Sequence, residues 1–110
     1  MAQIKPIDNL TQELRRGILV LAVLSQLQEE RYGYEVIKLL ADHGLEIDQG
    51  TLYPLLRRLE NQELLQSRWE LEESRPRRYY SLSPEGQELL PQLRDEWSKI
   101  VATIESLMKI

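Results

Sequence analysis

Between Gly50 and Leu82 the hydrophobic positions change their period once, from that of a helix to that of a strand. Turning about 100° per residue from Leu52 puts Leu52, Leu55, Leu56 and Leu59 in one sector. Thr51, Pro54, Arg57, Arg58 and Asn61 fall opposite, with Tyr53 on the boundary. A helix with a leucine face and a face of donors follows. Then Leu65, Ser67, Trp69 and Leu71 alternate with Gln66, Arg68 and Glu70, the period of a half-buried strand. A second strand sets Tyr80 and Leu82 against Tyr79 and Ser81, with one of the two adjacent tyrosines expected in the core. The segment Glu72 to Arg78 is expected to form the tip between the strands.

The flanking segments read as helices. Residues 1 to about 8 read as a loose arm, and Asp8 or Asn9 as the cap of a first helix reaching about Gln28. Its middle, Gly17 to Leu24, is apolar all round, so it calls for cover on every side. After a solvated turn at Glu29-Glu30-Arg31, a second helix runs from Tyr34 to about Asp42, and Gly44 suits the left-handed position after it. Asp48 is the expected cap of the leucine-faced helix, and Pro54 must lie near that helix's start because its ring removes a donor. Ser83-Pro84-Glu85 opens a long helix toward Lys109, which Pro91 should kink near Gln87. Along it Leu90, Leu93, Trp97, Ile100 or Val101, Ile104, and Leu107 or Met108 recur at three and four residues, close to a heptad seam.

The order of elements gives a mostly α chain with a small β-hairpin, a winged helix-turn-helix carrying an extra C-terminal helix. With 110 residues the size is that of one domain. Residues 1–82 are expected to form the winged unit, and residues 83–110 a dimerisation helix. Absence of cysteine excludes disulfides and thiolate chemistry. The N-terminus is not a secretory signal and the longest apolar run is too short for a membrane span, so a cytoplasmic protein is expected. No glycine-rich phosphate loop or metal-ligand cluster is present, and His43 is the single histidine. Neither catalysis nor a cofactor or metal is expected.

The net charge of −4 opposes DNA binding by bulk attraction, but the basic groups are gathered. Arg75, Arg77 and Arg78 lie within four residues on the hairpin, with Arg57 and Arg58 on the helix before it. Thr51, Tyr53 and Arg57 suit base edges in a major groove. Arg58, Arg75, Arg77 and Arg78 suit phosphates or the minor groove. The bland reading is a solvated polar face and a charged turn, in which Glu72 and Glu73 pair with the arginines. Trp97, in the middle of the terminal seam, reads either as plain interface packing or as one wall of an apolar slot for a flat ligand.

TLYPLLRRLE, a tryptophan on the next strand, and RPRRYYSLSPEG together resemble the PadR family of bacterial transcriptional regulators. The resemblance runs from the apolar helix near Gly17 to the C-terminal helix. It implies a winged-helix repressor. Part of that family uses a tryptophan of the C-terminal helix in a hydrophobic dimer pocket for planar drug-like molecules, while other members answer to phenolic acids. Asp95-Glu96-Trp97-Ser98 is similar to that branch, which makes Ile18, Leu21, Leu93, Trp97 and Val101 the candidate wall. The expectation is a homodimer on a two-fold operator, with half-sites about one helical turn apart and release by such a ligand. The rivals are a winged-helix adaptor for proteins and a hydrophobic-ligand carrier without a DNA role.

Overall fold

The computed structural model describes residues 5–109. Four helices and three short strands follow in the order α1 (Pro6–Gln26), β1 (Arg31–Tyr32), α2 (Gly33–Asp42), α3 (Gln49–Asn61), β2 (Leu65–Glu72), β3 (Arg75–Leu82) and α4 (Pro84–Met108). The strands form one antiparallel sheet in the order β1-β3-β2. This is the mostly helical winged helix-turn-helix expected from the pattern of residues.

The core lies where α1, α2, α3, the base of the hairpin and the first half of α4 converge. Val23, Leu24, Leu27, Val36, Leu52 and Leu56 are completely buried there, joined by Leu59, Leu65, Tyr80, Leu82 and Leu90. Each such side chain contributes about 1.5–3 kcal/mol by leaving water. Of the predicted leucine face, Leu52, Leu56 and Leu59 are buried and Leu55 half-buried, while Thr51, Pro54, Arg57, Arg58 and Asn61 are all exposed. The Asp48 carboxylate accepts from the Thr51 N–H at 2.8 Å, satisfying one free donor of α3. Gly44 has φ +91°, the left-handed stop after α2.

Three boundaries differ from those read in the sequence. Helix α1 begins at Pro6 rather than after Asp8. Proline at the first helical position loses nothing, since its missing N–H would have been unpaired there. Asp8 therefore sits inside the first turn, and the cap residue Lys5 makes no side-chain hydrogen bond. Of the expected loose arm, residues 1–4 lie outside the described residues. At the other end α1 stops at Gln26, two residues early. Arg31, read as part of a turn, and Tyr32 after it form strand β1, paired with Tyr80 and Tyr79 of β3. Two residues carry no periodicity, and only their partner strand makes them a strand.

The hairpin departs most from expectation. Its turn is the pair Glu73-Ser74, with φ of +48° and +67°, so β3 already begins at Arg75. Two consecutive left-handed residues match the twist of a two-residue hairpin. Leu65, Ser67, Trp69 and Leu71 share a face as predicted, but only its base is buried. Leu65 is 3% exposed, whereas Trp69 is 64% and Leu71 72% exposed, because the wing runs beyond the helices.

Helix α4 is bolted to the turn between α3 and β2. The Ser83 hydroxyl accepts from the Gly86 N–H at 3.0 Å and donates to the Glu63 carbonyl at 2.6 Å. The Ser83 N–H donates to the Leu64 carbonyl at 3.0 Å. A Cβ on Gly86 would overlap that same carbonyl, so only glycine allows the approach. Beyond Leu90 and Leu93 the helix leaves the core.

Candidate nucleic-acid interface

Helix α3 and the wing are the two walls of an open groove of about 610 Å³. Its α3 wall carries Gln49, Tyr53 and Arg57, and its wing wall carries Trp69, Arg75, Pro76, Arg77, Arg78 and Tyr80. Tyr32, Gly33 and Tyr34, at the N-terminus of α2, close it from the side. Four arginines line this groove, and among the described lining residues there is no carboxylate. In a chain of net charge −4 that separation matters, since it gathers basic groups on one surface of an acidic protein. Five of the chain's seven aromatic side chains also line it, giving flat surface between the cations.

The groove wall is fixed by close packing. A Cβ on Gly33 would collide with the Tyr53 ring, so the absent side chain of α2 is the seat of a ring from α3. Tyr53 is half-buried there, which matches its boundary position on the helix.

The wing arginines fall into different environments. Cross-strand pairing puts Trp69 opposite Arg78, and Glu70 opposite Arg77. The Arg78 guanidinium donates to Glu60 of α3 at 2.7 Å and to the Ser67 hydroxyl at 3.0 Å. It lies 5.6 Å from the centre of the Trp69 ring and 5.4 Å from that of Tyr80, within cation–π reach of both. Ser67 also donates to Glu60, closing a small network between wing and helix. Arg78, a candidate for phosphate or minor-groove contact in the sequence, is thereby also a strut from the wing to α3.

On the opposite face of the hairpin a second network closes on itself. Arg68 grips Glu30 with two hydrogen bonds, of 2.6 and 2.8 Å, pairs with Glu70, and lies 5.0 Å from the Tyr79 ring centre. Arg77 sits 4.4 Å from the centre of the Tyr32 ring and 3.7 Å from the Glu72 carboxylate. The Tyr79 hydroxyl donates to Glu72, and that bond pushes its pKa up to about 12. The hydrogen bonds from Arg68 hold the Glu30 carboxyl below its ordinary value.

Arg57, Arg58 and Arg75 are exposed and take part in none of the ion pairs found among the described residues. The groove thus joins Tyr53, Arg57, Arg75, Arg77 and Arg78 of the predicted set, while Thr51 and Arg58 lie outside its lining on the exposed face of α3. Sequence reasoning missed Tyr34, Gln49 and Glu60, and treated Trp69 as a strand residue only. The Glu60–Arg78 pair was not legible without the register of the hairpin.

The second expected site is more scattered. Leu21 and Leu93 pack against the core, Ile18 and Val101 are half-buried, and Trp97 is 41% exposed on α4. Beyond Trp97, α4 exposes Ile100, Ile104, Leu107 and Met108, and α1 exposes Ile7, Leu10 and Leu14.

A helix-turn-helix with a cationic groove between its third helix and its wing is the form of a DNA-binding regulator. Residues 20–92 match the model of the transcriptional regulator PadR-like family, and the chain belongs to that family. A PadR family transcriptional regulator from Eggerthella lenta DSM 2243 shares the fold with a TM-score of 0.89 and 46% identity, over 94% of this chain and 92% of that one. A transcriptional regulator from Clostridium thermocellum superposes with a TM-score of 0.78 at 32% identity, over 88% and 99% of the two chains. A transcriptional regulator of Mycobacterium tuberculosis (strain ATCC 25618 / H37Rv) is 35% identical over 83 residues, 74% of this chain and 78% of its own. The protein is a transcriptional regulator that acts on DNA, not an enzyme. Among the described residues no helix is long and apolar enough to cross a membrane.

Proposed function

We infer that this protein is a cytoplasmic homodimeric repressor whose two wings and two α3 helices engage a two-fold operator. The observation that carries the reading is the groove with four arginines and no carboxylate on a chain of net charge −4. Thr51 and Arg57 on the exposed face of α3 meet base edges, with Tyr53 as the wall behind them. Arg58 and Arg75 hold phosphates, and Arg77 and Arg78 shape the wing that delivers Arg75.

The second copy is supported by exposed apolar surface. Leu14 is 76% and Leu107 75% exposed, within a run of large apolar side chains on α1 and the end of α4 that a lone subunit would leave in water. Residues 83–110 then act in two parts, a first half that completes the core and a second half that pairs with its mate. Across the two-fold axis, Trp97 with Ile18, Leu21, Leu93 and Val101 forms the walls of an apolar slot. A flat hydrophobic ligand there shifts the spacing of the two α3 helices and releases the operator. Such a shift requires unequal affinity for the two spacings. Family membership removes the ground for a carrier or adaptor with no DNA role.

The test is a gel shift with the stretch upstream of the protein's own gene, run beside light scattering. A dimer mass and a salt-sensitive retarded band are expected. A monomer at working concentration overturns the dimer, and no retardation at low salt overturns the repressor.

A further inference from the structure

We propose that Trp69 is a DNA-contacting residue, its indole packing against the deoxyribose–phosphate backbone of the duplex that the groove receives. The proposal rests on the DNA-binding reading above and names an apolar contact within it. On its face of the hairpin the residues nearer the base, Leu65, Tyr80 and Leu82, are buried, and the helices explain their burial. Trp69 is 64% exposed on the groove wall, where folding alone gives no reason for an indole. Yet it is not loose. The Arg78 guanidinium sits 5.6 Å from its ring centre and is itself held by Glu60 and Ser67. A side chain ordered before binding gives up little rotamer freedom when a partner arrives.

The surroundings select the partner. Trp69 and Pro76 supply apolar surface beside Arg57 and Arg75, which are free of ion pairs among the described residues. A duplex backbone alternates anionic phosphates with apolar sugars and so matches both. A neutral protein patch would leave the arginines unanswered. An acidic protein segment is the rival occupant that the test must separate.

Because the contact is to the backbone, a mixed-sequence duplex at low salt is a sufficient probe. Acrylamide quenching of the intact protein, with Trp69→Phe as the reference to subtract, reports Trp69 alone. Saturating duplex is expected to shield it. Trp69→Ala is expected to weaken binding about tenfold, as for a moderate aromatic anchor, with an unchanged salt slope because no charge is lost. Trp69→Phe is expected to recover most of the loss. Quenching unaltered by duplex, or Trp69→Ala binding as tightly as the intact chain, overturns the proposal. Shielding by polyglutamate equal to that by duplex overturns the choice of partner. Intact protein that binds no duplex overturns the DNA-binding reading itself, which is a distinct result from binding without Trp69.

Discussion

The arginines of the wing and of α3 look alike in the sequence and do opposite things. The outer face of the wing gathers Arg68 and Arg77 with Glu30, Glu70 and Glu72, each cation answered by a carboxylate or a tyrosine ring. The groove is reached by Arg57 of α3 and by Arg75 at the tip of the wing, neither of them in an ion pair among the described residues. It is reached too by Arg78 of the inner face, whose partner lies behind the wall on α3. Counting arginines in the sequence treats these as one cluster. Pairing divides them into cations that hold the wing and cations left for a polyanion. That difference decides which of them contribute to salt-dependent binding.

The largest expected effect comes from the strut between the faces. Glu60→Ala leaves the half-buried Arg78 without its carboxylate and should cost about 1–3 kcal/mol, read as a lower urea midpoint. It should weaken DNA binding as well, although Glu60 does not line the groove. Gly33→Ala comes next. The new methyl displaces the Tyr53 ring, at about 1 kcal/mol since a ring can swing aside. DNA affinity is expected to fall more than stability does, which a melt beside a binding curve separates.

Arg68→Ala sharpens the contrast from the other side. The network it opens is exposed, so only a small loss of stability is expected, with DNA affinity unchanged. Its pH signature is specific. The lowered pKa of Glu30 contributes stability that is present above the ordinary carboxylate value and lost as pH falls through the folded one. Arg68→Ala removes that part of the acid limb of a pH–stability curve. The smallest effect belongs to the turn. Ser74 holds φ +67°, so Ser74→Gly should stabilise by about 0.5 kcal/mol, seen as a small rise in melting temperature.

What was legible in the sequence follows from where the information is local. The cap residues Asp48 and Ser83, the leucine face of α3 and the proline and glutamate opening α4 announce themselves within a few residues. The wing did not. Glu73-Ser74 lacks the asparagine or glycine that marks a two-residue turn, so the residue pattern spreads the tip over seven residues and gives no register. With the register went the Trp69–Arg78 pair and the strut to Glu60. Strand β1 was hidden for a related reason, since two residues become a strand only through β3. The candidate cations were found by composition, but only tertiary pairing separates Arg57 and Arg75 from Arg68 and Arg77.

The most direct test compares salt slopes of DNA binding for two double variants that each remove two arginines. Arg58→Ala with Arg75→Ala should lower the slope of log affinity against log salt by nearly two, about 0.9 for each lost phosphate contact. Arg68→Ala with Arg77→Ala should leave it close to that of the intact protein. Equal losses from both pairs, or a larger loss from the second, would contradict the division into cations that hold the wing and cations left open.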